Sequence, residues 1–319
     1  MKKGIKNHPV IIIGGPTGSG KTGLALFLAT NLNGEIINAD SRQIYRFMDI
    51  GTAKPTPEQL STVKHHLIDM VDPDQDFNAQ LFIKFAEKAF RDIIDKGRRV
   101  FVAGGTGLYI SAFLNGLVEG APPNNRVRSR LRTDLKKSGE KHMYDLLKKI
   151  DPESARLIHP NDSYRVLRAL EIYETTGVSP SKLRKEKWKS QSVKNNVLYL
   201  CIDMPRKKLY DNINKRADML IKKGLVDEVK YLLSNGYGEE LKSMQSFGYR
   251  EIVRYVKGES SLADAIEELK KNTRHYAKRQ VTWFRGIKGV RWVNPDSEQG
   301  ILQTCRDFLE EVDCDKSAA

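Results

Sequence analysis

Short apolar runs alternate along this chain with longer stretches of helical periodicity. Residues 10–13 (VIII), 34–38 (GEIIN), 99–103 (RVFVA) and 197–202 (VLYLCI) predict strands. A helix is expected to open at Gly20–Lys21 and to carry Leu24, Leu26, Phe27 and Leu28. Residues 79–95 (AQLFIKFAEKAFRDIID) predict a second helix, stopped by Gly97. The alternation implies an α/β core built on a parallel sheet. Pro122-Pro123-Asn124-Asn125 breaks the pattern. Three segments follow with apolar residues at helical spacing: RVRSRLRTDLKKSG, EKHMYDLLKKID and SYRVLRALEIYETTG. The core resumes at VLYLCI and continues into KKLYDNINKRADMLIKKG and LVDEVKYLLSNG. The expected organisation is a core of residues 1–121 and 197–319 with a helical C-terminal part, interrupted by an all-helical insertion, 122–196. No internal repeat is evident, and the tail DCDKSAA is expected to fray.

Charge sharpens this division. The net charge is +14, which suggests a polyanionic partner, nucleic acid or an anionic membrane surface. Residues 122–196 hold 18 Lys/Arg against 9 Asp/Glu. Lys270 to Arg291 holds eight basic residues and no acidic one, with His275, Tyr276, Trp283 and Phe284 interleaved. Basic residues mixed with aromatics suit a surface that neutralises phosphates and stacks bases. No apolar run approaches the roughly 18 residues of a membrane helix, and mean hydropathy is −0.50. The apolar run after the basic start ends at Gly14, too soon for a secretory signal. The three cysteines, Cys201, Cys305 and Cys314, lack paired spacing, which argues for a reducing compartment and against a zinc or disulfide framework. A cytoplasmic protein is expected.

The strongest chemical signal is GPTGSGKT, residues 15–22, set between a strand and a helix. Such a loop points amide N–H groups at phosphate oxygens, and the following helix adds its positive end. Gly15, Pro16, Thr17, Gly18, Ser19, Gly20, Lys21 and Thr22 are therefore candidate polyphosphate-binding residues. Thr22 is the candidate Mg²⁺ ligand, directly or through water. The loop does not identify the polyphosphate. Strand 99–103 ends in Gly104-Gly105-Thr106-Gly107 rather than an acid, which suits close backbone approach to a ligand. Asp203, after strand 197–202, reads as a turn residue. Asp40 follows strand 34–38, where α/β sheets place their ligands. It is a candidate general base or magnesium-water anchor. Arg216 is a candidate second clamp on the phosphates. His65 and His66 are adjacent, a spacing that does not suit a shared metal.

Together these motifs resemble the tRNA dimethylallyltransferase (isopentenyltransferase) family of bacterial type. The resemblance rests on GPTGSGKT (15–22), ADSRQIY (39–45), DIGTAKP (49–55), HHLIDMVDP (65–73) and AGGTGLY (103–109). It continues through residues 151–177, QSFGYRE (245–251) and AKRQVTWFRG (277–286). The absence of Cys/His pairs fits the bacterial type rather than the eukaryotic one, which carries a zinc finger. The resemblance implies a P-loop core and transfer of the prenyl group of dimethylallyl diphosphate to the exocyclic amine of adenosine 37 of tRNA. The tRNAs are those reading codons that begin with U, the product is N6-dimethylallyladenosine (i6A), and diphosphate leaves. It implies Asp40 as base, with Thr106 and Arg216 at the reacting region, and a monomer that binds the anticodon stem-loop. It further implies tRNA contacts at Asp40, Ser41, Arg42, Gln43, Thr106 and Arg128. The remaining tRNA positions are Tyr164, Arg165, Val166, Leu167, Arg168, Gln245, Ser246, Phe247, Gly248, Tyr249, Arg250, Lys278, Arg279, Gln280, Trp283 and Arg285. Gly18 stands where many members carry Ala, a difference expected to be neutral.

Other readings share parts of this pattern. A P-loop kinase shares the loop and the acid after the second strand, but does not predict the basic insertion. A nucleotide-gated RNA-binding switch explains the charge and leaves Asp40 idle. An adenylate isopentenyltransferase shares the chemistry but lacks the insertion.

Overall fold

The computed structural model describes residues 8–116, 124–183 and 196–317. The predicted Pro122-Pro123 break lies outside them. Six parallel strands form one sheet: β1 (Val10–Gly14), β2 (Gly34–Asn38), β3 (His65–His66), β4 (Arg99–Gly104), β5 (Val197–Ile202) and β6 (Arg291–Val293). Their order is β3-β2-β4-β1-β5-β6. The central strand, β1, sets Gly14 level with Gly104 of β4 and Cys201 of β5, so the carboxyl ends of the strands share one edge.

The apolar runs are continuous because both faces of the sheet are covered. On β1, Val10 and Ile12 join a core with Phe82, Phe90 and Phe113. These aromatics come from α3 (Ala79–Ile94) and α4 (Gly107–Asn115). Ile11 and Ile13 point the other way, to Leu24, Leu28, Leu302 and Leu309. Those leucines lie on α1 (Lys21–Asn31) and on the last helix, Glu298–Ser317. The tail expected to fray therefore stays helical through Ser317, and Arg99 reaches Asp313 on it at 2.7 Å.

Two compact units emerge: Met1–Leu114 with Lys194–Ala319, and Asn115–Val193. The second contains α5 (Asn125–Ile150), α6 (Pro152–Leu157) and α7 (Ser163–Thr176). Leu131, Met143, Leu147, Val166 and Leu170 form its core. Gly139, at φ +81°, breaks α5 at the Gly that ends the first helical segment of the sequence. In the first unit α8 (Arg206–Lys222), α9 (Leu225–Ser234), α10 (Tyr249–Val256) and α11 (Leu262–Arg285) share a third core around Met48 and Tyr249. The last helix, Glu298–Ser317, is α12. Among the described residues no helix is long and apolar enough to cross a membrane.

The glycines at the end of β4 and just after it let protein approach closely on one side, and Gly104 and Gly105 also line a cleft. A Cβ on Gly104 would lie 2.2 Å from the carbonyl oxygen of Ala39. On Gly105 it would lie 2.3 Å from Nε2 of Gln280, and on Gly107 2.1 Å from Nε1 of Trp283. Because Gly104 abuts backbone, relief requires strand movement. Gly104→Ala is expected to destabilise the fold by about 3 kcal/mol or more, read from urea unfolding midpoints at unchanged m-value.

Candidate active site

The loop after β1 turns on three glycines at positive φ: Gly15 (+147°), Gly18 (+79°) and Gly20 (+89°). Gly20 leads directly into α1, whose first turn carries no acidic residue. The helix therefore presents its positive end to the loop. A Cβ on Gly18 would also meet Ile213 at 2.9 Å. Alanine there is strained in this chain, so the expected neutrality does not hold. Ser19 Oγ is buried with no hydrogen-bond partner. A buried hydroxyl left in this way costs stability unless a ligand satisfies it.

Lys21 is half-buried as a residue, but its ammonium lies inside the loop and donates to Pro16 O at 2.7 Å. Burial pulls its pKa down to about 8, against the opposing charge of Asp40 and with help from Arg216. Arg216, on α8, is likewise half-buried as a residue. Its guanidinium donates to Thr52 O at 3.3 Å. Burial lowers its pKa while Asp40 raises it. Asp40 thus lies between two desolvated cations. Its Oδ1 accepts from Arg42 N at 2.8 Å, closing a tight turn after β2. The next amide, Ser41 N, donates to Thr106 Oγ1 at 3.0 Å. Lys21, Thr22, Asp40 and Arg216 line one cleft of about 350 Å³.

The predicted RNA-contacting positions separate by exposure. Arg42, Gln245, Lys278, Arg279, Trp283 and Arg285 are exposed on the first unit, and Tyr164 and Arg165 on the second. Ser41 and Thr106 are half-buried and tied to each other, and Leu167 is half-buried. Arg128 and Arg168 both pair with Glu171, a carboxylate 2% exposed. Burial raises the pKa of Glu171, but those arginines and Asn124 N outweigh it and hold the group ionised to lower pH. Phe247 is half-buried in the cleft, with Arg250 over its ring at 4.7 Å.

Other predicted contacts point inward. Val166 belongs to the core of the second unit. Gln43 donates to Thr52 O and Ala53 O. Ser246 and Gly248 are buried, and Tyr249 is fully buried with its hydroxyl on Glu228. Gln280 is buried between Thr17 N and Gly105 O, at 2.8 Å from each. A contiguous stretch assigned to RNA as a whole takes in such positions because a helix or turn always presents one face to its own core.

The cleft position of Tyr276, read from sequence only as a surface aromatic, and the role of Glu228 escaped the sequence reading. Tyr276 lines the cleft, and burial with Asp40 nearby pushes its pKa up to about 12. Thr273, Tyr276 and Gln280 all line the cleft, and their 3,4 spacing on α11 was the available signal. Glu228 accepts from the amides of Asp49, Ile50 and Gly51 and so pins the segment next to Thr52. It had no signal, since its partners are backbone groups about 180 residues away in sequence. His66 pairs with buried Glu35 at 2.6 Å, and His65 Nδ1 meets Val63 O. The two rings share no partner.

Such a site, with a phosphate loop facing a carboxylate and an arginine at the edge of a parallel sheet, defines a P-loop α/β protein built for group transfer. The IPP transferase family matches residues 43–287. The chain is 44% identical to a tRNA dimethylallyltransferase of Acetivibrio thermocellus, over 94% of this chain and 97% of that protein. It is 45% identical to that of Thermotoga neapolitana, over 93% and 97%. The crystal structure of a tRNA isopentenylpyrophosphate transferase from Bacillus halodurans superposes with TM-score 0.72 at 38% identity, covering 97% of this chain and 99% of that one. A eukaryotic dimethylallyltransferase acting on tRNA gives 0.79 at 29%, covering 95% and 80%. This chain belongs to the IPP transferase family.

Lys21 makes anion binding pH-dependent. A bound polyphosphate favours the ammonium, whereas the free protein loses that proton above about pH 8. Affinity for inorganic pyrophosphate is therefore full below pH 8 and falls above it, by up to about tenfold per unit. Titration calorimetry from pH 7 to 10 checks this, and Lys21→Arg should flatten the fall.

Proposed function

We propose that this chain transfers the dimethylallyl group of dimethylallyl diphosphate to the exocyclic amine of adenosine 37 in tRNA, releasing diphosphate. The observation that carries the reading is the convergence of the phosphate loop, Lys21, Arg216 and Asp40 on one cleft. The relatives named as tRNA dimethylallyltransferases support it over a kinase or an enzyme acting on free AMP.

The residues suit each demand of the reaction. As the allylic C–O bond breaks, negative charge gathers on the diphosphate. Loop amides, Lys21 and Arg216 then bind it most tightly where that charge is greatest. The adenine amine attacks the allylic carbon, and its proton becomes acidic as the C–N bond forms. Asp40 accepts that proton on the oxygen not engaged by Arg42 N. Thr106 keeps the turn at Ser41 in place. The donor set also suits Mg²⁺. Thr22 offers a hydroxyl to the cleft, and among the described residues no group of three or more His, Cys, Asp or Glu forms a metal cage. Thr22 would hold a hard cation there, directly or through water. When bound, Mg²⁺ neutralises part of the leaving group's charge.

The acceptor is the anticodon stem-loop of tRNAs that read codons beginning with U, and the product is i6A. The base must leave its stack, at a cost of about a few kcal/mol. Exposed Arg42, Lys278, Arg279, Trp283 and Arg285 on one unit, and Tyr164 and Arg165 on the other, supply phosphate and stacking contacts that offset it. The chain acts as a cytoplasmic monomer.

Incubation with labelled dimethylallyl diphosphate and unmodified tRNA should join isoprenoid to RNA. Conversion of ATP to ADP with no such product would overturn the reading. Asp40→Ala should lower transfer by at least about 10²-fold while tRNA binding persists. Replacing Lys278 and Arg279 with Ala should lower the salt slope of tRNA binding by about 0.7–0.9 for each phosphate no longer neutralised. An unaltered slope places the RNA surface elsewhere.

A further inference from the structure

We propose that Tyr276 is a specificity residue for the acceptor base: its hydroxyl donates to a ring nitrogen beside the exocyclic amine, while Asp40 faces the amine itself. The inference rests on the transfer reading above and deepens it, since that reading leaves open how a purine is recognised at the carboxylate. An ionised Asp40 can only accept. It therefore suits the amine of adenine and repels the carbonyl oxygen that guanine carries in its place. One such contact leaves the base free to pivot. A donor next to the carboxylate fixes it, because adenine flanks its amine with the acceptors N1 and N7.

Tyr276 is such a donor. It lines the same cleft as Asp40. Its phenol, raised by burial and by Asp40 to a pKa of about 12, keeps its proton at neutral pH. Its helix is fixed one turn further on, where Gln280 bonds Thr17 N and Gly105 O at 2.8 Å each. The ring is fixed as well. Phe247 packs against it with ring centroids 5.4 Å apart, and the Arg279 guanidinium lies 5.8 Å from its centre. Phe247 is backed by Arg250 at 4.7 Å, whose Nε donates to buried Glu251 at 2.8 Å. Glu251 in turn accepts from Asn272 at 2.8 Å and from Gly248 N at 2.7 Å. A run of packed groups thus ends on one phenol in the cleft of the carboxylate. A side chain held in this way gives up little freedom when it binds. Neighbouring donors are already engaged: Gln43 Nε2 on Thr52 O and Ala53 O, and the Tyr249 hydroxyl on Glu228. A phenol that acted only through Asp40 would help every acceptor equally. One that touches the base helps only a base carrying the right nitrogen.

The test measures transfer from dimethylallyl diphosphate to three synthetic anticodon stem-loops, which carry adenosine, 1-deazaadenosine or 7-deazaadenosine at position 37. Each analogue keeps the amine and lacks one ring nitrogen. Tyr276→Phe removes the hydroxyl and keeps both ring contacts. On adenosine, this variant should lose about tenfold in kcat/KM, the factor of one hydrogen bond. For one of the two analogues, the loss relative to adenosine should be at least about fivefold larger with wild-type protein than with Tyr276→Phe. Comparing the two proteins cancels any change that the missing nitrogen makes to the amine's own reactivity. A uniform loss over all three acceptors is the mark of a phenol acting only on Asp40, and overturns the proposal. So does a Tyr276→Phe protein as active as wild type on adenosine. Wild-type protein that transfers nothing to the adenosine stem-loop removes the transfer reading itself.

Discussion

The site is organised by an imbalance of charge. Lys21 and Arg216 are both withdrawn from water, and burial lowers the pKa of each. Asp40 is the acid that both of them sense. Removing a cation from water costs several kcal/mol unless a counter-charge compensates it. One carboxylate between two cations compensates in part, and the remainder favours an anion in the loop. Ser19 Oγ, buried and unpartnered, is a polar deficit at the same place. Both deficits fall within the loop between β1 and α1, where the helix end adds further positive potential. An anion bound in the loop would offset both deficits at once.

A rigid frame must hold that state against relaxation. The sheet supplies it at the carboxyl ends of β1 and β4, where missing side chains let α11 approach. Phe284, Gln280 and Trp283 fit against Gly14, Gly105 and Gly107 in turn. A second frame lies behind Arg216. Its partner carbonyl, Thr52 O, is also held by Gln43. Glu228 pins the preceding amides, and Lys54 ties Asp49 to Asp69. The motifs DIGTAKP and HHLIDMVDP thus have a physical role beyond the residues they give to the cleft lining. They fix the backbone against which the buried guanidinium is aimed.

This division explains what the sequence could disclose. The four long strands were legible because both faces are buried, which leaves uninterrupted apolar runs. β3 and β6 were not, since His65–His66 and Arg291–Val293 are short edge pieces with polar or exposed side chains. Their pairing is decided by neighbours distant in sequence. The phosphate loop and Asp40 were legible because local backbone geometry requires those residue types. Arg216 as a buried group was not, because nothing local distinguishes it from a solvated arginine on a polar helix. The basic run 270–291 was read as one surface. In the structure its part up to Arg285 lies on a helix with two faces, exposing Lys278, Arg279 and Arg285 and hiding Ala277, Gln280 and Phe284.

The same two-faced helix links the two halves of the chemistry. On its inner side, Gln280 bonds the phosphate loop, and Tyr276, one turn earlier, lines the cleft near Asp40. Thr106 holds the amide of Ser41, beside Asp40. The phosphate loop is therefore tied directly to this helix, while the carboxylate turn is tied to the Thr106 loop and shares the cleft with the helix. On its outer side the helix carries the cations and Trp283 assigned to RNA. A nucleic acid bound to that side would press on the element to which the phosphate loop is tied. Such an arrangement would couple acceptor binding to donor alignment through a single helix.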